Sequence, residues 1–332
     1  MLYNLQNIII NEEQTDQRID NFLYNLFDKK IARSFIYSII RTGQVRVNSS
    51  RIKPKYSLNL NDKVRIPPIK SVYENTENSE KTIVNKKTNA RLLEFWQNKI
   101  SKSIIFEDQN LLVINKPCKL AVHGGSNVSI GLIEILRNLR PKEHFLELVH
   151  RIDQDTSGCL MIAKKRSYLK QLHCLLREQK INKTYAVMVI GLFDSKKIVE
   201  LPLKKIIKSS KEHFVKPSND GGYAKTEFIP DKIFKINDNQ EQYSLITAKP
   251  KTGKTHQIRV HLAHIGFPII NDDKYGKKIN SDLAELRSVK RMLLHAKHLK
   301  FICPKTHKTI EVSAEYDAEF MKFFSAMEQV SG

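Results

Sequence analysis

The chain is poor in cysteine, in long apolar runs and in acid. Its four cysteines, Cys118, Cys159, Cys174 and Cys303, stand far apart and form no Cys-x-x-Cys pair. That spacing argues against a disulfide scaffold or a structural zinc site and fits a cytoplasmic setting. No apolar run approaches the roughly 18 residues of a spanning helix, so an integral membrane protein is not expected. The N-terminus, Met1-Leu-Tyr-Asn-Leu-Gln-Asn-Ile-Ile-Ile10, lacks the basic start and long apolar core of a signal peptide. There is no Gly-x-Gly-x-x-G fingerprint, no Gly-x4-Gly-Lys-Ser/Thr phosphate loop and no internal repeat.

What is abundant is positive charge. Lys and Arg total 56 against 35 Asp and Glu, a formal net charge of +21 over 332 residues. The apolar fraction, 41%, is too high for a disordered polycation. A folded basic protein points to nucleic acid, an anionic membrane face or an acidic partner. Lysine-rich coding alone could inflate the total, but it does not predict clustering. Residues 29–70 hold eleven basic residues, among them Lys29, Lys30, Arg33, Arg41, Arg46, Arg51, Lys53 and Lys55, and one acid, Asp62.

That basic stretch also reads as folded. Asp16 is positioned to cap a helix over 17–26, and Ser34 a second over 35–41, whose apolar faces carry Ile19, Leu23, Leu26 and Phe35, Ile36, Ile39, Ile40. Gly43 suits the C′ position. Val45 and Val47 alternate with Arg46 as in a strand, Asn48-Ser-Ser50 reads as a turn, and a second alternating strand ends at Pro67. Two short helices before a small basic sheet, with the run Arg33-Ser-Phe-Ile-Tyr-Ser-Ile-Ile-Arg-Thr-Gly-Gln-Val-Arg-Val-Asn48, resemble the S4 RNA-binding domain. Such a module grips phosphates by charge, with its basic side chains on one side, and reads little sequence. We therefore expect an S4-like domain over 1–70, a polar linker over 71–102 and a larger domain over 103–332.

In the larger domain, strand-like and helix-like segments alternate. Leu111–Asn115 reads as a buried strand and Gly131–Leu139 as a helix. Leu146–Val149 and Leu160–Ala163 flank a polar loop, Ser167 is positioned to cap a helix through Glu178, and Thr184–Gly191 returns as a strand. The loop, His150-Arg-Ile-Asp-Gln-Asp-Thr-Ser-Gly158, resembles the signature of the RluA-type pseudouridine synthases, with Ile152 where Leu is usual. Three further stretches agree in order: Asn115-Lys-Pro with Ala121-Val-His-Gly-Gly125, Lys183-Thr-Tyr-Ala-Val187, and Thr252-Gly-Lys-Thr-His-Gln-Ile-Arg-Val-His-Leu262 followed by Asp273-Lys-Tyr-Gly276.

The resemblance implies an α+β protein whose catalytic sheet is mixed but largely antiparallel, with helices around it. It implies isomerisation of uridine to pseudouridine in large-subunit (23S) ribosomal RNA or its assembly precursor, without metal or organic cofactor; a monomer is the default expectation. The alternatives are a non-catalytic RNA-binding assembly factor and a synthase acting on another rRNA or tRNA site. Breaking the bond from N1 to C1′ and rejoining through C5 requires a carboxylate beside the sugar. The resemblance places that carboxylate at Asp153, its arginine partner at Arg259, an active-site tyrosine at Tyr185, a base-pocket aliphatic at Ile258 and a wedge at Arg151. Asp155 falls at a variable position. Thr255 is positioned to cap the helix carrying Arg259. His256, His261 and His264 lie close in sequence, but helical spacing does not bring them to one metal-binding face.

Overall fold

Apolar alternation and turn chemistry account for most of the first part of the chain. The computed structural model describes residues 6–27, 31–68, 93–124, 130–207, 213–235, 242–276 and 289–331. Two compact units emerge, 1–88 and 89–332. The first contains helices α1 (Ile19–Leu26) and α2 (Arg33–Arg41) and strands β1 (Gln6–Ile9), β2 (Arg46–Val47), β3 (Ser50–Arg51) and β4 (Lys63–Ile66). Its sheet runs in the order β1-β4-β2-β3. Val47, Val64 and Ile66 join a core with Ile19, Leu23, Ile36 and Ile40. The intervening Arg46, Lys63 and Arg65 take the other face, as a period of two requires. Asn48 (φ 50°) and Ser49 (φ 65°) form the turn between β2 and β3, a left-handed pair that matches hairpin twist. Gly43 ends α2 with φ 75°, and a Cβ there would lie 2.7 Å from Arg51 Nε.

The larger unit is built on a ten-stranded sheet. Its strands are β5 (Ile104–Glu107), β6 (Leu111–Lys116), β7 (Glu147–Leu148), β8 (Ser157–Ala163), β9 (Asn182–Ile190), β10 (Lys197–Glu200), β13 (Lys225–Lys235), β14 (Gln242–Pro250), β15 (Leu294–Ile302) and β16 (Thr309–Ser313). A separate hairpin pairs β11 (Leu203–Ile207) with β12 (His213–Pro217). The main order is β10-β13-β14-β9-β15-β8-β6-β5, with β16 on β15 and β7 on β8. Among the described pairings only β8 with β15 is parallel, so the sheet is mixed and largely antiparallel. Helices α3 (93–101), α4 (Leu132–Leu139), α5 (Arg166–Arg177), α6 (Gln257–His264) and α7 (Ala318–Ser331) complete the unit. Strand β9 serves two cores. Tyr185, Val187 and Val189 enter the larger cluster, while Ala186 and Met188 face Phe320 and Phe323 of α7.

Local sequence signals mislead at the helix starts. The N-cap positions expected at Asp16, Ser34, Ser167 and Thr255 are held instead by Arg18, Ala32, Lys165 and His256. The reason is tertiary. Asp16 itself is left-handed (φ 60°), and the first N–H of α1, from Ile19, is taken by the Tyr56 carbonyl at 2.8 Å. Most of the expected linker, 71–92, lies outside the described residues. Its last part is α3, whose Ile100 is fully buried in the larger core, so that unit extends upstream of Ser103.

Candidate active site

Asp153 sits in the loop between β7 and β8, and the local sequence anchors that loop on both sides. Thr156 N–H donates to the Asp153 carbonyl (3.2 Å), closing a tight turn. Upstream, Met161 N–H donates to His150 Nε2 (3.2 Å). Burial and the nearby Lys183 ammonium push the His150 pKa down to about 3, so that ring is a neutral acceptor. From below, the fully buried Lys116 Nζ donates to the carbonyls of Pro117 (2.9 Å), Leu120 (2.8 Å) and Gln154 (3.0 Å). Burial pushes this ammonium down to about 7, and the three carbonyls meet its three donors. The Gln154 amide returns a bond to the Lys119 carbonyl (3.2 Å). The loop is thus pinned at residues 150, 154 and 156, with Asp153 between.

The Asp153 side chain keeps 25% of its surface open, and its Oδ2 accepts a bond from Arg259 Nη1 at 2.9 Å. Arg259 lies in α6 and is almost wholly buried. Its Nε and Nη2 make a two-pronged bond to Asp272, at 2.7 and 2.6 Å. The Asp272 carboxylate is itself inaccessible and accepts backbone N–H groups from Lys274 (2.9 Å) and Tyr275 (3.2 Å). Burial opposes ionisation of both partners. Arg259 nevertheless holds Asp272 below the usual carboxylate range, and the two carboxylates raise the guanidinium's already high pKa. A buried cation is tolerable only when paired. Asp272 supplies that pairing through Nε and Nη2, and an N–H of Nη1 orients Asp153.

Sheet register places Tyr185 opposite this loop. Tyr185 pairs with Ala248 on β14 and Ala296 on β15, and Ala296 in turn pairs with Gly158 on β8. The cross-strand row reads Ala248, Tyr185, Ala296, Gly158: one ring among three small residues. Gly158 cannot be larger, since a Cβ there would lie 2.3 Å from the Ala296 carbonyl oxygen. Burial and the Asp153 charge both raise the Tyr185 pKa, so its hydroxyl keeps its proton near neutrality. Ile258, on the turn beside Arg259, is buried in the same core. Arg151 is exposed two residues before Asp153, and Asp155 is exposed two residues after it.

The structure describes each sequence-predicted residue of the catalytic site and most of the basic ones. Asp153 and Arg259 are in contact, Tyr185 feels the Asp153 charge, and Ile258 adjoins the pair in sequence. Arg33 stacks over Tyr24 at 4.2 Å and donates to Asn21 in the first unit. Arg41 and Lys53 line one surface concavity there, whereas Arg46 lines another with Lys63 and Arg65. Basic side chains of that unit thus line two concavities. Lys55 and Arg51 are exposed; Lys29 and Lys30 lie outside the described residues. Sequence reasoning missed Asp272, Lys116 and the Tyr275–His256 contact. The sole hint of Asp272 was an Asp-Asp pair after Gly266-Phe-Pro268. Among the described residues, no group of three His, Cys, Asp or Glu side chains is placed to hold a metal ion. His261 bonds instead to Thr226 Oγ1 (3.0 Å) and the Leu201 carbonyl (3.2 Å).

Comparison with known proteins finds relatives over most of the chain. Residues 110–264 match the family model described as RNA pseudouridylate synthase. The chain is 43% identical over 322 residues to "Ribosomal large subunit pseudouridine synthase C" of Buchnera aphidicola subsp. Schizaphis graminum, covering 96% of each chain. It is 44% identical to the protein of that name from Pasteurella multocida, covering 97% of this chain and 94% of the relative. Among solved structures it resembles Human RNA Pseudouridylate Synthase Domain Containing 4 in fold, with a TM-score of 0.57, 22% identity and coverage of 72% of this chain and 98% of that one.

Proposed function

Because the chain belongs to the RNA pseudouridylate synthase family, we propose that it converts uridines of large-subunit (23S) ribosomal RNA to pseudouridine, with Asp153 as the reacting carboxylate. The observation that carries this reading is the Asp272–Arg259–Asp153 chain. A carboxylate open to substrate is oriented by an arginine whose charge is already compensated from behind. Asp153 then stays free to attack C1′ or to remove a sugar proton. The uracil leaves with the electron pair of the N1–C1′ bond, turns, and rejoins through C5, which loses its proton. No electrons are gained or lost. Tyr185 supplies a flat, protonated ring for stacking and hydrogen bonding. Arg151, exposed beside the loop, fills the space left when the uridine departs from its stack.

RNA affinity comes from the S4-like first unit, a basic module in front of a cytoplasmic, monomeric, cofactor-free catalytic domain. Strand register supports this reading. Arg46 stands directly opposite both Arg51 and Arg65, so three arginines cross β3, β2 and β4 in one row. Like charges directly opposite destabilise a sheet. Such a row is relieved by phosphates.

The test is tritium release from 23S RNA transcripts carrying 5-tritiated uridine. Asp153→Ala should abolish release and Asp155→Ala should leave it within about twofold of wild type. RNA binding with no change in the cellular pseudouridine map would instead identify a non-catalytic assembly factor. Loss of modification at tRNA or other rRNA positions after gene deletion would move the target.

A further inference from the structure

His256 adopts a costly backbone conformation beside Asp153. It precedes α6 with φ 53° and ψ 21°, the left-handed region that non-glycine residues avoid. Unexplained strain of this kind collects at functional sites. Here it carries the imidazole to the reacting carboxylate, with Nε2 at 3.9 Å from Asp153 Oδ2. The side chain is 13% exposed.

The other ring nitrogen determines the proton's position. Nδ1 lies 2.8 Å from the Tyr275 hydroxyl, which accepts the Val215 N–H at 2.8 Å. A backbone N–H can only donate, so the Tyr275 oxygen already serves as acceptor. The hydroxyl's own hydrogen has His256 Nδ1 as its acceptor among the described residues. With Nδ1 accepting that hydrogen, Nε2 carries the ring's own hydrogen towards Asp153. Burial, acting against the Asp153 charge, lowers the ring's pKa and favours this neutral form.

At 3.9 Å the N–H is too far from Oδ2 for a hydrogen bond. It is a donor left over at the place where the substrate must sit. Oδ2 is engaged by Arg259, whereas Oδ1 has no hydrogen-bond partner among the described residues and is the oxygen free to act on the sugar. When the N1–C1′ bond breaks, its electron pair passes to the uracil and spreads over O2 and O4. A neutral donor beside the carboxylate meets that developing charge without neutralising Asp153.

We propose that His256 is a catalytic residue that donates a hydrogen bond from Nε2 to the uracil as its bond to ribose breaks, with Tyr275 holding the donating tautomer. This rests on the reading of Asp153 as the reacting group. The ring keeps its proton throughout, so atoms and electrons balance as in the unassisted isomerisation.

Two substitutions separate the roles of the side chain. Asn tolerates the left-handed backbone but carries its amide at the level of Nδ1. Gln reaches the level of Nε2. With full-length protein and 5-tritiated 23S transcripts, single-turnover release should fall about 100-fold in His256→Asn, the usual loss on deleting one donor to developing charge. RNA Kd should stay within twofold, and His256→Gln should recover at least tenfold over Asn. A wild-type rate in His256→Asn, a loss carried by Kd, or equal losses in Asn and Gln would overturn the proposal. Tyr275→Phe, with His256 intact, should slow release several-fold at unchanged Kd, and this decides the matter if the His256 variants misfold; an unchanged rate overturns it. Asp153→Ala run alongside tells the two readings apart, since release surviving there condemns the site itself rather than the donor.

Discussion

Replacing Asp272 by Asn removes the buried charge on which the Arg259 geometry depends. Asp272 is fully enclosed and takes two bonds from Arg259 at 2.6 and 2.7 Å. Removing one partner of a buried ion pair costs about 3–5 kcal/mol; Asn keeps an acceptor for one N–H, so about 2–4 kcal/mol is expected. Arg259 would then have Asp153 as its remaining carboxylate and draw it inward. Burial opposes ionisation of Asp272, but Arg259 and two backbone N–H groups outweigh it and hold the folded pKa below the ordinary value. A folded pKa below the unfolded one, about 3.9 for Asp, means that the stabilisation is fully present above that pH. It is lost as pH falls through the folded value. Urea unfolding followed through Trp96, the single tryptophan, reports on this unit because Trp96 packs against its core. The gap between wild type and Asp272→Asn should be full at pH 7 and should narrow below about pH 4. Single-turnover release should fall at least tenfold with RNA affinity intact. Equal midpoints at pH 7, or a gap indifferent to pH, would refute the reasoning.

Two further outcomes are expected from other parts of the molecule. Gly158→Ala meets the Ala296 carbonyl at 2.3 Å from a backbone at φ 104°; it should destabilise the larger unit by about 2–4 kcal/mol, seen as a lower thermal midpoint, and an unchanged midpoint would show that β8 and β15 part freely. Changing Arg46, Arg51 and Arg65 together to Gln should weaken RNA binding and flatten the dependence of log K on log salt by about two to three units. The rate on saturating RNA should hold. An unaltered salt slope would place the phosphate contacts elsewhere.

The sequence alone determined the reaction class and most of the fold. Period-two alternation around Val47 and Val64 set which strand faces are apolar, and the family resemblance of the His150–Gly158 loop and the Thr252–Leu262 stretch pointed to Asp153 and Arg259. These signals are local, written in neighbouring residues, so they survive without coordinates. The tertiary structure decided what those residues touch. Helix caps were misread because a cap depends on backbone angles that distant segments impose, as the Tyr56 carbonyl does on α1. Asp272 was silent because an aspartate in a loop looks like any turn residue until α6 brings Arg259 against it. For His256 the sequence showed only the lack of a shared metal-binding face, since neither its left-handed backbone nor its approach to Asp153 is encoded in spacing. Ion pairs and proton positions depend on distances between segments remote in the chain, such as the 106 residues that separate Asp153 from Arg259. Only folding sets those distances.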